Sequence, residues 1–152
     1  MERTKKSSSE EQVLVEEVLF EKVCAWLGIC LQKNPKIYLK DNPYTYTQPD
    51  FFSEEHGIVG QIYAHIGKNK TGQKGKISND ILKMLLLEKV NNKPYRKILV
   101  VCDQEQKKYL EGQSLLAESV SQFEIEVQCF ELDKEIYAKV EKAQKRQNMV
   151  NG

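Results

Sequence analysis

No stretch of the chain reaches the roughly 18 unbroken apolar residues of a membrane span. The N-terminus, polar through Glu2, Arg3, Lys5, Lys6 and Ser7 to Ser9, lacks the apolar core of a secretion signal. The expected compartment is therefore the cytoplasm, with no membrane partner. Excess charge of either sign is also missing, since 23 Lys plus Arg stand against 22 Asp plus Glu, so any contact with nucleic acid must be a local patch. Cys24, Cys30, Cys102 and Cys129 form no CxxC pair and no second cluster that would complete a zinc site. They read as reduced core residues among apolar neighbours. There is no internal repeat.

What is present suits one mixed α/β domain. A chain of 152 residues buries about two-thirds of the surface its unfolded form exposes, without a disulfide or a metal. Residues 1–12 read as a polar, frayed tail and 13–150 as a single domain. From Val13 to Leu31, Leu14, Val15, Val18, Leu19, Val23, Trp26, Leu27 and Cys30 recur at steps of three and four, which predicts a long helix with a wide buried stripe. Asn34-Pro35 breaks it.

Three strands are predicted next: Ile37 to Leu39, then Tyr44 to Phe52 with Pro49 at an edge or strand end, then Gly57 to Gly67. Short connections make them an antiparallel meander. In the third, period two sets Gln61, Tyr63 and His65 on one face and Ile58, Ile62, Ala64 and Ile66 on the other. Lys68 to Lys76, with four lysines and two glycines, reads as a loop that opens into a helix from Ser78 to Val90, apolar over more than half its circumference. Ile98 to Cys102 is a β-branched run of the kind found in a strand covered on both faces, and Asp103 is placed to cap the helix after it. A helix over 104–122, interrupted near Gly112, an edge strand over 123–129 and a helix from Asp133 to Gln147 with a seam of Ile136, Val140 and Ala143 complete the order.

The first six elements, αβββαβ, together with Pro49-Asp50 at the end of the second strand and Gln61-Ile62-Tyr63 on the third, resemble the core of the PD-(D/E)xK nuclease superfamily, over Val13 to Cys102. The resemblance implies a restriction-endonuclease-like fold, with a helix, strand and helix added at the C-terminus. It also implies hydrolysis of phosphodiesters in DNA or RNA assisted by Mg²⁺ or Mn²⁺, with Asp50 and Gln61 as metal ligands. Gln61 stands where that family carries an acid and offers only a neutral carbonyl oxygen. Tyr63 stands at the family's lysine and brings no positive charge to the phosphate.

Several nearby groups are candidates for the missing roles. His65 would act as base or ligand, Lys68, Lys70 or Lys83 as the cation, and Glu21, one turn from Glu17 on the first helix, as an added carboxylate. Lys68, Lys70, Lys74 and Lys76 form the expected phosphate contact, next to a helix N-terminus whose free amides also favour anions. Plainer readings stand beside these: Asp50 as a turn residue, His65 as a satisfied strand histidine, Glu17 and Glu21 as a solvated helix face, and the lysine-rich loop as a solvated loop. The implied partners are nucleic acid and, for choosing a site, a second copy of the chain or another protein. The alternative function is a catalytically inactive nuclease-fold module that binds nucleic acid or protein.

Overall fold

The computed structural model describes residues 2–67 and 71–151, with side chains over 10–67 and 71–146. It is a mixed α/β fold in which the described residues form five helices, one five-stranded mixed sheet and a separate two-stranded hairpin. Among the described residues no helix is long and apolar enough to cross a membrane.

Helix α1 (Glu2–Leu27) begins upstream of Val13, where the apolar periodicity starts. Its buried stripe is narrow. Val15, Leu19 and Val23 are fully packed at four-residue spacing, whereas Leu14 and Trp26 stay exposed. The helix ends at Gly28, in the left-handed region that glycine tolerates. Strand β1 (Gln32–Lys33) comes next, and then the chain departs from the predicted meander. Strands β2 (Ile37–Leu39) and β3 (Asn42–Thr47) pair only with each other, as a hairpin inserted between β1 and β4 (Phe51–Ser53). The single strand expected from Tyr44 to Phe52 is therefore two, parted by Gln48-Pro49-Asp50; Pro49 has no N–H for a ladder, and β3 and β4 join different sheets.

Strand β5 (Ile58–Tyr63) is antiparallel to β4 and stops four residues short of the expected Gly67. Helix α2 (Thr71–Asn91) carries the chain to β6 (Arg96–Val101), which lies parallel to β5, as the expected βαβ unit does. Helices α3 (Gln104–Leu110) and α4 (Leu115–Gln122) break near Gly112, and β7 (Glu126–Cys129) adds a parallel edge strand. Asp103 occupies the N-cap position of α3, but its carboxylate accepts the Gly67 N–H at 2.7 Å instead of capping the helix. Helix α5 (Lys134–Asn151) buries Val140 and Ala143, and Arg146 pairs with Glu11 of α1 at 2.7 Å.

Alternation along β5 and β6 divides the core into two layers. Ile58, Ile62, Ile98 and Val100 pack with α1 and α5, while Val59, Tyr63, Leu99 and Val101 pack with α2. Two expectations of burial fail: Leu82 and Leu86 of α2 face outward, and Cys30 is exposed, although all four cysteines are free thiols. Cys102 is buried, and burial pushes its thiol up to about 12.

The β4–β5 contact is unusually close. Phe51 is opposite Gly60, and its fully buried ring lies where any side chain at Gly60 would begin. Gly60→Ala is expected to cost roughly 1–3 kcal/mol through overpacking. In urea unfolding, Phe51→Ala should cost less in the Gly60→Ala background than alone, because truncating the ring relieves the clash; equal costs would mean that ring and glycine are not coupled.

Candidate functional site

Asp50 and Gln61, the two expected metal ligands, meet where β4 leaves β5. The ladder between them ends at Phe51 and Gly60, so the next turn of β5 meets Asp50, and the Asp50 carboxylate accepts the Ile62 N–H at 2.7 Å. The Asp50 backbone is fixed from the other side. Its carbonyl accepts the N–H of Asn34 at 2.9 Å, and the Asn34 carbonyl accepts from the Gln48 side chain at 3.0 Å. Asn34 has φ +54°, a conformation that asparagine tolerates better than most residues. The antiparallel register thus sets Asp50 beside Gln61, which is itself buried.

Tyr63 shares a sheet face with Gln61 and points at α2, where its hydroxyl donates to Asp80 at 2.7 Å. Burial first, then the Asp80 charge and this hydrogen bond, push the phenol well above its ordinary value. It is a strut between β5 and α2, with its proton committed to Asp80. Asp80 in turn has Lys83 at 3.9 Å, so the lysine expected to swing toward the site is drawn to this carboxylate.

The carboxylate that α1 brings to the corner is Glu16. Glu21 is exposed, and Glu17 pairs with Lys33 at 3.4 Å on the surface. Glu16 and Asp50 lie within electrostatic reach of each other, and both are raised. For Glu16 the causes are burial and then repulsion from Asp50, opposed by Lys76 and Lys33. For Asp50 burial leads; the Ile62 N–H and Lys76 oppose it and Asp80 adds to it. A helical wheel carries the signal for Glu16, which is one turn before the half-buried Phe20 and flanks the Val15–Leu19–Val23 stripe.

Three further expectations change. His65 lies beyond the end of β5, and with Gln12 of α1, Gln73 of α2 and Val140, Ala143 and Gln144 of α5 it lines a cavity. The backbone there is held by Gln144, whose side-chain amide pairs with both the N–H and the carbonyl of Ile66 at 2.8 and 3.0 Å. Lys68 and Lys70 lie outside the described residues. Lys74 and Lys76 belong to α2, which begins at Thr71 and not at Ser78, so the expected loop is largely helix. Lys74 stands 5.3 Å from the Tyr109 ring centre and Lys76 5.9 Å from that of Tyr63, which places Lys76 above the site.

As oxygen donors, Asp50, Glu16 and the Gln61 amide suit a hard divalent cation, which takes one or two carboxylates and leaves other positions to water and phosphate. Among the described residues no three His, Cys, Asp or Glu side chains are grouped as a complete ligand set. Two raised carboxyls within electrostatic reach are an arrangement that a cation would relieve.

Because both native-state values are raised, the folded chain holds these protons more tightly than the unfolded one. That stabilisation is complete below the ordinary carboxylate range and is lost as pH rises through the raised values. Asp50→Asn removes one of the two charges and keeps an oxygen for the Ile62 N–H. In scanning calorimetry without metal the variant should melt above the parent at about pH 7 and lose that advantage toward about pH 4. A variant that melts lower at neutral pH would show that the Asp50 charge stabilises the fold. Set against protein-family models, curated proteins and solved structures, the chain matches none of them.

Proposed function

We propose that this chain is a divergent domain of the PD-(D/E)xK nuclease type that hydrolyses phosphodiesters in DNA or RNA with Mg²⁺ or Mn²⁺. The observation that carries the reading is the corner at the end of β5: Asp50, next to Gln61 in register, and Glu16 are two carboxyls raised by burial and within electrostatic reach of each other, with Lys76 in reach of both. The element order supports it too. A helix, three antiparallel strands (β1, β4, β5), a helix and a parallel strand come in the sequence that the nuclease core requires, with the β2–β3 hairpin as an insertion.

The roles follow from the chemistry of each group. Asp50 and Glu16 supply the negative oxygens and Gln61 a neutral one, so Glu16 restores the charge lost where glutamine replaces an acid. Lys76 replaces the positive charge that Tyr63 cannot carry. Its ammonium, reaching over the Tyr63 ring, is the donor for charge developing on the phosphate. Tyr63 keeps β5 and α2 at the separation this needs. A bound divalent cation would polarise the scissile phosphate and make water a better nucleophile. Lys74, over the Tyr109 ring on another face of α2, offers a separate, sequence-independent contact with the backbone of the nucleic acid. A domain of this size would choose its target with a second copy or another protein, and its four free thiols suit a reducing compartment such as the cytoplasm.

One observation favours a second reading, in which the scaffold holds nucleic acid or a protein without cutting. The Tyr63 proton is committed to Asp80, and no lysine stands on β5 itself.

Calorimetric titration of Mg²⁺ and Mn²⁺ into wild type and Asp50→Ala, followed by cleavage of labelled single- and double-stranded DNA and RNA, decides between the two. The nuclease reading expects metal binding that Asp50→Ala abolishes, and cleavage that Lys76→Ala slows by roughly 10²–10³-fold, the usual effect of removing a donor to developing charge. Absence of binding up to millimolar metal in a folded protein, with no cleavage, would leave the non-cutting scaffold.

A further inference from the structure

The β2–β3 hairpin has two unlike faces. Ile37 and Leu39 pack against the α2 layer of the core, which anchors the hairpin to the domain. On the opposite face Tyr38 stands across from Tyr46, their ring centres 5.4 Å apart, and Tyr44 follows in the irregular stretch where the register shifts between Tyr46 and Asn42. These rings are 55%, 46% and 92% exposed for Tyr38, Tyr46 and Tyr44. A folded chain does not ordinarily leave three aromatic rings of one short hairpin in water.

The charge beside them is positive. The Lys36 ammonium lies 5.2 Å from the Tyr46 ring centre, and Lys40 sits in the turn. Asp41 is the sole carboxylate from Lys36 to Gln48. The hairpin is also tied to the Asp50 corner. Its second strand ends at Thr47, Gln48 bonds to the Asn34 carbonyl, and Asn34 bonds to the Asp50 carbonyl. Thr47 and Asp50 are therefore separated by no more than about 11 Å of chain.

We infer that this hairpin is a stacking platform for single-stranded nucleic acid: Tyr38, Tyr44 and Tyr46 receive unpaired bases and Lys36 and Lys40 the adjoining phosphates, leading the strand to Asp50. The inference rests on the nuclease-fold reading above and deepens it by naming the substrate class. Exposed rings beside lysines fit unpaired bases because each base offers a π-face only when it is free of a duplex, and the backbone supplies the negative charge. A duplex keeps its base faces covered and would meet only the lysines.

The test is fluorescence anisotropy with a labelled oligothymidylate and a duplex of the same length. It compares wild type with Tyr38→Ala, Tyr44→Ala and Tyr46→Ala combined, and with Phe at the same three positions. Because the rings are exposed, both variants should melt close to wild type. The alanine variant should lose at least roughly ten-fold in single-strand affinity, with the phenylalanine variant within about two-fold of wild type and duplex binding unchanged in both. Single-strand affinity equal to wild type in the alanine variant overturns the platform and makes the tyrosines a surface for another protein, while leaving the nuclease reading in place. Wild type that binds or cuts the duplex but not the single strand has the same effect. Wild type that binds and cuts no nucleic acid overturns both.

Discussion

The hydrogen bond from the Ile62 amide to the Asp50 carboxylate joins the fold to the proposed site. Strand β4 is short and leaves β5 just after Phe51 meets Gly60, so a β5 amide would otherwise lose its partner at the sheet edge. The carboxylate takes that amide, which fixes its own position beside Gln61. The close packing of the Phe51 ring on Gly60 sets the strand separation, and Asn34 holds the Asp50 backbone. The same departure of the chain that exposes this amide also makes room for the hairpin and its tyrosines.

That arrangement strains the electrostatics of the folded chain. Asp50 and Glu16 are partly drawn out of water, with only an amide and the reach of Lys76 and Lys33 in opposition, and both are raised. An elementary structural pair would be one acid with one base, as Arg96 is with Glu126, whose two-point contact at 2.6 and 2.9 Å holds the far end of β6 to β7. Two ionised carboxyls raised by burial within reach of each other oppose folding at neutral pH, and in folded proteins strongly perturbed groups concentrate at functional sites. Tyr63 and Asp80 show how the scaffold bears this: a neutral hydroxyl satisfies the second buried acid and ties α2 down, which lets Lys76 stand over the corner.

Much of this was legible in the residues. The Val15–Leu19–Val23 repeat, the Ile98 to Cys102 run and the Ile136–Val140–Ala143 seam are long or strongly patterned, and each became the expected element. Pro49-Asp50 and Gln61 were separable from their surroundings because proline ends a ladder and Gln61 alternates with apolar neighbours. Strand β1 was hidden because Gln32 and Lys33 carry no apolar pattern and pair only through contacts distant in sequence. The hairpin was hidden because its tyrosines look like any β-forming residues until one face is seen to be in water. Glycines at 72 and 75 argued for a loop where the backbone continues as helix, since tertiary packing of Ile77, Ile81 and Met84 outweighs their low propensity. Choosing among Glu16, Glu17 and Glu21 required knowing which flank of α1 faces the sheet.

Whether Asp50, Glu16 and Gln61 form one divalent-cation site is tested most directly by paramagnetic broadening of amide signals by Mn²⁺ in ¹⁵N-labelled protein. At substoichiometric Mn²⁺ the amides of Gln61, Ile62, Phe51 and Glu16 should broaden first and recover on excess Mg²⁺, with those of Glu54 and Glu88 at the opposite end of the sheet unaffected. Broadening that begins at Glu54 and Glu88, or that spreads evenly over the acidic surface, would contradict the shared site.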